Sequence, residues 1–194
     1  MNRNIIFLDI DGVLNSYHFF YNKFTLFLDK IFKLRPKTET KMISKWRLLL
    51  VSILCKIKSC DIVLSTSWRA LWDENLIPIK ECSAYKVDRL FKLYGLNIIG
   101  KTPRGIKALK NNYEIILEDG YLDVKNKKYW RGSEILEYIE THNLQLDKCI
   151  IIDDGTVDIE CYPILRDRII KTEYYNGIGG FKIKELIKSL KLLR

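Results

Sequence analysis

Short apolar runs alternate along this chain with longer segments in which apolar residues recur at helical spacing. The predicted strands are 4–9, 62–64, 96–99, 148–152 and 168–170. The predicted helices are 40–58, 83–94, 133–141 and 182–193. Strands that alternate with helices are typical of an α/β fold. The pattern therefore predicts a parallel sheet flanked by helices.

The spacing also predicts which helix faces pack against the sheet. In the segment 83–94 the predicted inward residues are Val87, Leu90, Phe91 and Tyr94, with the helix ending at Gly95. In the segment 40–58 the predicted inward residues are Met42, Ile43, Trp46, Leu49, Leu50, Ile53 and Leu54.

Two segments interrupt this alternation. Residues 16–38 are rich in aromatic and basic side chains, and residues 111–130 contain an alternating pattern around Asp119 and Gly120 that predicts a hairpin. Both segments are candidate lids over a site. The chain has neither repeats nor a Pro/Gly-rich linker, so residues 1–194 are predicted to form a single domain.

Composition narrows the class of protein. The chain has 194 residues, of which 47% are hydrophobic and 29% charged, as in globular domains. Its longest apolar stretch, 48–55, is too short to span a bilayer, and no secretory signal pattern is predicted at the start. The five cysteines are odd in number and form no C-x-x-C pair, which favours reduced thiols and a cytoplasmic location.

The formal charge of +9 is unevenly distributed. Residues 15–60 contain ten Lys or Arg against two acids, a local balance of +8. Such a segment favours anionic partners such as nucleic acid or nucleotides, although Lys-rich solvated helix faces are also common.

Polar side chains gather where the predicted strands end. Asp9 and Asp11 leave the first strand on the same side, just before a turn at Gly12. Two acids so close repel each other unless a cation such as Mg²⁺ neutralises them. The second strand runs into S-T-S-W-R at 65–69, and the fourth into Asp153 and Asp154. Because ligands bind at the carboxyl ends of parallel strands, these groups are predicted to share one site.

These segments resemble the four motifs of the haloacid dehalogenase (HAD) superfamily. D-I-D-G-V-L-N after the first strand is similar to motif I, V-L-S-T-S-W-R to motif II, and I-I-I-D-D-G-T-V-D to motif IV. R-G-S-E-I, beginning at Arg131, stands where motif III normally has a Lys. The residues of motifs II and III are similar to those of HAD domains in bacterial RNA-repair proteins. The resemblance implies a Rossmann-like core and covers roughly residues 4–170.

The resemblance also implies a role for each site residue. Asp9 would be the nucleophile that forms an aspartyl-phosphate, and Asp11 the acid and base. Mg²⁺ would bind the Asp9 carboxylate, the Asp11 backbone carbonyl and Asp154. Thr66 would hold the phosphoryl group and Arg131 would neutralise it. The remaining candidates are Gly12 and Ser67 for phosphate binding and Asp153 and Asp158 around the metal ligands.

Two assignments stay open from the sequence. Ser65 and Ser67 are rivals of Thr66, because alternation does not say where the second strand ends. Lys127 and Lys128 are rivals of Arg131 as the motif III cation. Neighbours on a strand point to opposite faces, so only one of the two acids Asp153 and Asp154 is predicted to bind metal directly.

Together these observations predict a Mg²⁺-dependent phosphohydrolase acting on a phosphate monoester. About 65 residues separate Thr66 from Arg131, which excludes a large cap and implies an open site. An open site beside a basic, aromatic segment favours a nucleotide or the end of a polynucleotide. The alternatives are a non-catalytic polyanion-binding protein that keeps the HAD shell and a phosphatase of proteins, lipids or small molecules.

Overall fold

The computed structural model describes residues 3–15, 43–80, 83–104, 113, 131–174, 177–180, 188 and 191–192. Both lid candidates, 16–38 and 111–130, lie outside these residues apart from Tyr113, as do Lys127 and Lys128. Most of the predicted terminal helix, 182–193, also lies outside them.

A parallel sheet forms the centre of the described structure. Its strands are β1 (Asn4–Leu8), β2 (Cys60–Leu64), β3 (Ile98–Lys101), β4 (Cys149–Asp153) and β5 (Ile169–Lys171). They are arranged in the order β3-β2-β1-β4-β5, and every neighbouring pair is parallel. This sheet confirms the predicted α/β fold, with β3 lying two residues further along the chain than predicted.

Helices connect the strands. They are α1 (Lys45–Lys58), α2 (Ser83–Leu93), α3 (Arg131–Thr141), α4 (Val157–Glu160) and α5 (Pro163–Arg166). Short 3₁₀ helices occupy Ser67–Leu71, Leu146–Lys148 and Gly177–Gly180. The Ser44 side chain accepts the Arg47 backbone N–H and so caps the start of α1.

Both faces of the sheet are covered, which explains why its strands read as continuous apolar runs. In β1, Ile6 and Leu8 join a core with residues of α1 and α2, whereas Ile5 and Phe7 join a second core with residues of α3. The four described cysteines, Cys55, Cys60, Cys149 and Cys161, are free and buried. All four belong to the two buried cores of the sheet. No helix in the described ranges is long and apolar enough to cross a membrane.

The predicted inward face of α1 is wrong for three residues. Trp46, Leu49 and Ile53 are 58%, 38% and 40% exposed. The buried residues of α1 are instead Arg47, Leu48, Val51, Ser52, Leu54 and Cys55. Because apolar residues surround most of this helix, their spacing indicates a helix without indicating which side faces the sheet.

Candidate active site

The carboxyl ends of the three central strands meet at one level. Leu8 pairs with Leu64 of β2 and with Ile152 of β4. The Asp9 backbone N–H donates to the Ile152 carbonyl at 3.0 Å, and the Ser65 N–H donates to the Leu8 carbonyl at 3.0 Å. The residues that follow these strands are therefore brought together, as the strand-end argument predicts.

Three carboxylates form a cluster at this edge. Asp9, Asp153 and Asp154 each offer an oxygen, and these oxygens all lie within 4.8 Å of one another. Asp9 and Asp153 are buried, whereas Asp154 is half-buried. Oxygen ligands at this spacing suit a hard divalent cation.

Burial makes the ionised state of this cluster costly. It raises the pKa of Asp9 to about 6, although Arg131 and a hydrogen bond from the Thr66 side chain act in the opposite direction. Burial, together with the nearby Asp9, raises the pKa of Asp153 to about 8. The pKa of Asp154 is also raised, again mainly by burial. Burial therefore favours the protonated forms of these three carboxyl groups.

Among the residues that the structure describes, Arg131 is the cation in contact with this cluster. Its Nη1 lies 3.4 Å from Asp9 Oδ1 and 3.4 Å from Asp153 Oδ2, and it donates to the Ser65 carbonyl. Burial alone would lower the Arg131 pKa, but the carboxylates of Asp153 and Asp9 outweigh it, so the pKa is raised. The guanidinium is therefore held charged between the ends of β1, β2 and β4.

The first turn of α3 fixes Arg131 in place. The backbone N–H of Arg131 donates to Asp158 Oδ2 at 2.7 Å. A carboxylate at a helix N-terminus satisfies a free donor and interacts favourably with the helix dipole. Gly132 lies so close to the Tyr162 ring and the Asp158 carbonyl that a Cβ there would collide with both. Asp158 thus contacts the Arg131 backbone and lies outside the acid cluster.

Asp11 and Gly12 form a tight turn beside the cluster. Asn15 Nδ2 donates to Asp11 Oδ1 at 2.8 Å, and Trp68 Nε1 donates to Asp11 Oδ2 at 2.9 Å. Gly12 has φ +67°, and a Cβ at this position would overlap the Asp154 carboxylate. Only glycine allows the turn to approach Asp154 this closely.

The structure distinguishes the three hydroxyl residues after β2. Thr66 is fully buried, and its side chain hydrogen-bonds to Asp9. The Ser65 hydroxyl is buried with no hydrogen-bond partner among the residues described. Ser67 is exposed and begins the 3₁₀ helix. Of these three residues, Thr66 is therefore the one whose side chain contacts the Asp9 carboxylate.

The two acids at the end of β4 do not separate as strand alternation predicts. Carboxylate oxygens of both Asp153 and Asp154 belong to the cluster. The reason is that β4 ends at Asp153 and the chain bends at Asp154, where alternation no longer applies. Asp153 also contacts Arg131.

Sequence reasoning assigned no role to several residues that shape the site. Arg69 Nη2 contacts both Glu134 oxygens, at 2.7 and 2.8 Å, and Arg69 Nη1 donates to the Thr66 carbonyl at 3.0 Å. Thr172 donates to the Gly12 carbonyl at 3.0 Å. Trp68 and Arg69 lie within the S-T-S-W-R motif, and Asn15 ends D-I-D-G-V-L-N. Their place in these motifs is the sequence feature that points to a role in the site.

Comparison with families of known proteins shows what the chain is similar to. A family model described as "HAD domain in Swiss Army Knife RNA repair proteins" matches residues 5–179. No curated protein matches the chain, and no solved structure matches it. The matched range includes each of the four motif segments.

Proposed function

The chain belongs to the HAD domain family of Swiss Army Knife RNA repair proteins, and from this we propose that it is a Mg²⁺-dependent phosphohydrolase that cleaves a phosphate monoester. The observation that carries the proposal is the cluster of Asp9, Asp153 and Asp154 at the ends of parallel strands, in contact with Arg131. Family membership supports the HAD-type phosphohydrolase class. The metal, the aspartyl-phosphate intermediate and the substrate are proposed in addition.

Asp9 is the proposed nucleophile. Its carboxylate oxygen attacks phosphorus, and a bond from phosphorus to Asp9 forms as the bond to the leaving oxygen breaks. The leaving oxygen takes a proton from Asp11. Water then gives its proton to Asp11 and its oxygen to phosphorus, which releases phosphate and restores the Asp9 carboxylate.

Two neighbouring groups assist this transfer. The Thr66 hydroxyl, which hydrogen-bonds to Asp9, is placed to hold a phosphoryl oxygen, and the Arg131 guanidinium is placed to neutralise one. Gly12 and Ser67 remain proposed further phosphate contacts.

The residues present fit a magnesium ion. Three carboxylates converge, and burial raises the pKa values of Asp9 and Asp153, so a bound cation would stabilise the ionised forms that burial disfavours. Asp9, Asp154 and the Asp11 backbone carbonyl would hold the ion. When bound, Mg²⁺ screens the nucleophile from the charge of the phosphate and holds the transferring oxygens.

The proposed substrate is a nucleotide or the end of a polynucleotide. Support comes from the balance of +8 in residues 15–60 and from the RNA repair named in the family's description. Lys and Arg along this segment would contact successive phosphates of a polynucleotide. A small sugar phosphate is too short to make those contacts.

The test is phosphate release in Mg²⁺ and in a chelator. The substrates are p-nitrophenyl phosphate, mononucleotides, 3′- and 5′-phosphorylated oligonucleotides and sugar phosphates, with Asp9→Asn as the control. We expect Mg²⁺-dependent release, with the oligonucleotide KM rising steeply with salt and the mononucleotide KM rising little. Absence of release from every substrate, with oligonucleotide binding retained, would support the non-catalytic alternative.

A further inference from the structure

Trp68 contacts the proposed acid, Asp11, but has no role in the proposed mechanism. Its indole Nε1–H donates to Asp11 Oδ2 at 2.9 Å, while Asn15 Nδ2 donates to the other oxygen, Oδ1, at 2.8 Å. Each carboxylate oxygen has two lone-pair directions. One direction on each oxygen is therefore occupied by an N–H donor, and the other is left for a proton or substrate.

Both donors are themselves held in place. The Trp68 backbone N–H donates to Thr66 Oγ1 at 3.3 Å, and the Trp68 ring packs against the larger core. Asn15 Oδ1 accepts the Gly12 N–H at 2.9 Å. A carboxyl group bonded to two anchored donors has its rotation fixed, and such pre-orientation matters at reacting groups.

The loop after β2 thus reaches both carboxylates of the D-I-D motif. Thr66 contacts Asp9, and Trp68, two residues later, contacts Asp11. The same 3₁₀ turn that places the proposed phosphate-binding hydroxyl therefore also orients the proposed acid.

We propose that Trp68 is a positioning residue that orients Asp11 for proton transfer to the leaving oxygen. This inference rests on the proposed function, in which Asp11 is the acid. The indole N–H is not transferred: the proton that reaches the leaving oxygen comes from Asp11, and Trp68 only fixes the direction from which it comes.

The test compares leaving groups. An alkoxide must be protonated as it leaves, whereas p-nitrophenolate leaves without a proton, so only the alkyl phosphate depends strongly on Asp11 orientation. The measured quantity is kcat/KM, because it reports the steps up to loss of the leaving group and excludes the later hydrolysis that both substrates share.

For Trp68→Phe we expect kcat/KM to fall roughly 10- to 100-fold with glycerol 2-phosphate, a part of the about 10²- to 10⁴-fold that general acid catalysis supplies. With p-nitrophenyl phosphate we expect a change of less than about 3-fold. In an Asp11→Asn background, Trp68→Phe should no longer change the ratio between the substrates.

Trp72→Phe is the matched control. Trp72 is 1% exposed, and its indole nitrogen has no hydrogen-bond partner among the residues described. The same ring change there should affect both substrates equally.

A second measurement uses the indole N–H signals of the four tryptophans by NMR, assigned with single Trp→Phe variants. The Trp68 signal should shift in Asp11→Asn, and the Trp72 signal should not.

The outcomes separate the two proposals. Wild-type protein that releases phosphate from none of the mononucleotides, phosphorylated oligonucleotides and other phosphate esters overturns the proposed function and this inference with it. Active wild-type protein with an equal loss on both substrates in Trp68→Phe overturns only the inference. If Trp68→Phe does not fold, an unchanged Trp68 indole signal in Asp11→Asn overturns it.

Discussion

Two buried arginine–carboxylate groups use the first turn of α3, and they differ in charge balance. Arg69 Nη2 lies 2.7 and 2.8 Å from the two carboxylate oxygens of Glu134. Arg131 lies 3.4 Å from Asp9 and 3.4 Å from Asp153, with Asp154 in the same cluster. Among the described residues, one guanidinium therefore meets one carboxylate in the first group and a cluster of three in the second.

The difference separates a structural pair from the proposed reactive site. Arg69 Nη2 contacts both carboxylate oxygens of Glu134, and Arg69 Nη1 donates to the Thr66 carbonyl, so this pair joins the loop after β2 to α3. In the second group burial raises the pKa of Asp9 to about 6 and that of Asp153 to about 8. Groups with strongly shifted pKa values at the end of a sheet favour function over stability.

The largest expected effect comes from Asp9→Asn. Asparagine keeps the shape and the acceptor oxygen of the side chain but cannot form the proposed aspartyl-phosphate. We expect kcat to fall by more than about 10⁴, as losses of a nucleophile do. Because the change removes a costly buried charge, the Tm measured without metal at about pH 8 should not fall. A variant that keeps a tenth of wild-type kcat would contradict covalent catalysis.

Arg69→Met tests the structural pair. It removes both hydrogen bonds that Arg69 makes to the buried Glu134 carboxylate. Breaking a buried pair by removing one partner typically costs about 3–5 kcal/mol, which urea unfolding measures directly. Restoring stability with Arg69→Met combined with Glu134→Leu would show that the loss comes from the carboxylate left behind.

Arg131→Met is the matched control for Arg69→Met. It removes the same guanidinium from the reactive group, and we expect kcat/KM to fall about 10²- to 10³-fold. Its loss in free energy of unfolding should be the smaller of the two when Mg²⁺ is present. The reverse order of stability losses would contradict the distinction between the two groups.

The fold was predictable because local pattern decides it. Strands buried on both faces, such as β1 and β4, are continuous apolar runs, and Gly95 follows α2 as predicted. The side of α1 that faces the sheet was not predictable. Trp46 and Leu48 are both apolar, and only tertiary packing leaves Trp46 exposed and buries Leu48.

The site divides in the same way. The ends of β1, β2 and β4 could be placed together from the sequence, because parallel strands align their carboxyl ends. Contacts between distant residues could not be placed. Trp68 meets Asp11 across 57 positions and Arg69 meets Glu134 across 65. No local periodicity carries such pairings.

The dependence of stability on pH and Mg²⁺ sharpens the comparison further. The folded pKa values of Asp9 and Asp153, about 6 and about 8, lie above the ordinary 3.8. Between the ordinary pKa of 3.8 and each folded pKa, the folded state therefore binds more protons than the unfolded state. In metal-free protein the contribution of both groups to stability is greatest below about pH 4 and is lost as the pH rises through 6 and 8.

Mg²⁺ should reverse this loss, because it binds the ionised carboxylates. At a hundredfold excess over Kd it adds about 2.7 kcal/mol. That corresponds to a Tm increase of roughly 5–10 °C at about pH 8.5 and much less at about pH 5. Thermal unfolding at both pH values measures the difference, and Glu134→Gln, altered in the other group, should retain it. Equal shifts at both pH values would contradict a carboxylate metal site.

The smallest expected difference lies between two neighbours, Asp153 and Asp154. Asp153 is 2% exposed, contacts Arg131 and accepts the Gly155 N–H at 2.9 Å, so its oxygens are already engaged. Asp154 is more exposed and lies against Gly12. We therefore expect Asp154→Asn to weaken Mg²⁺ binding about tenfold more than Asp153→Asn. Isothermal titration measures both, and Asp158→Asn, outside the cluster, is the control. An equal or larger loss at Asp153 would make that residue the metal ligand.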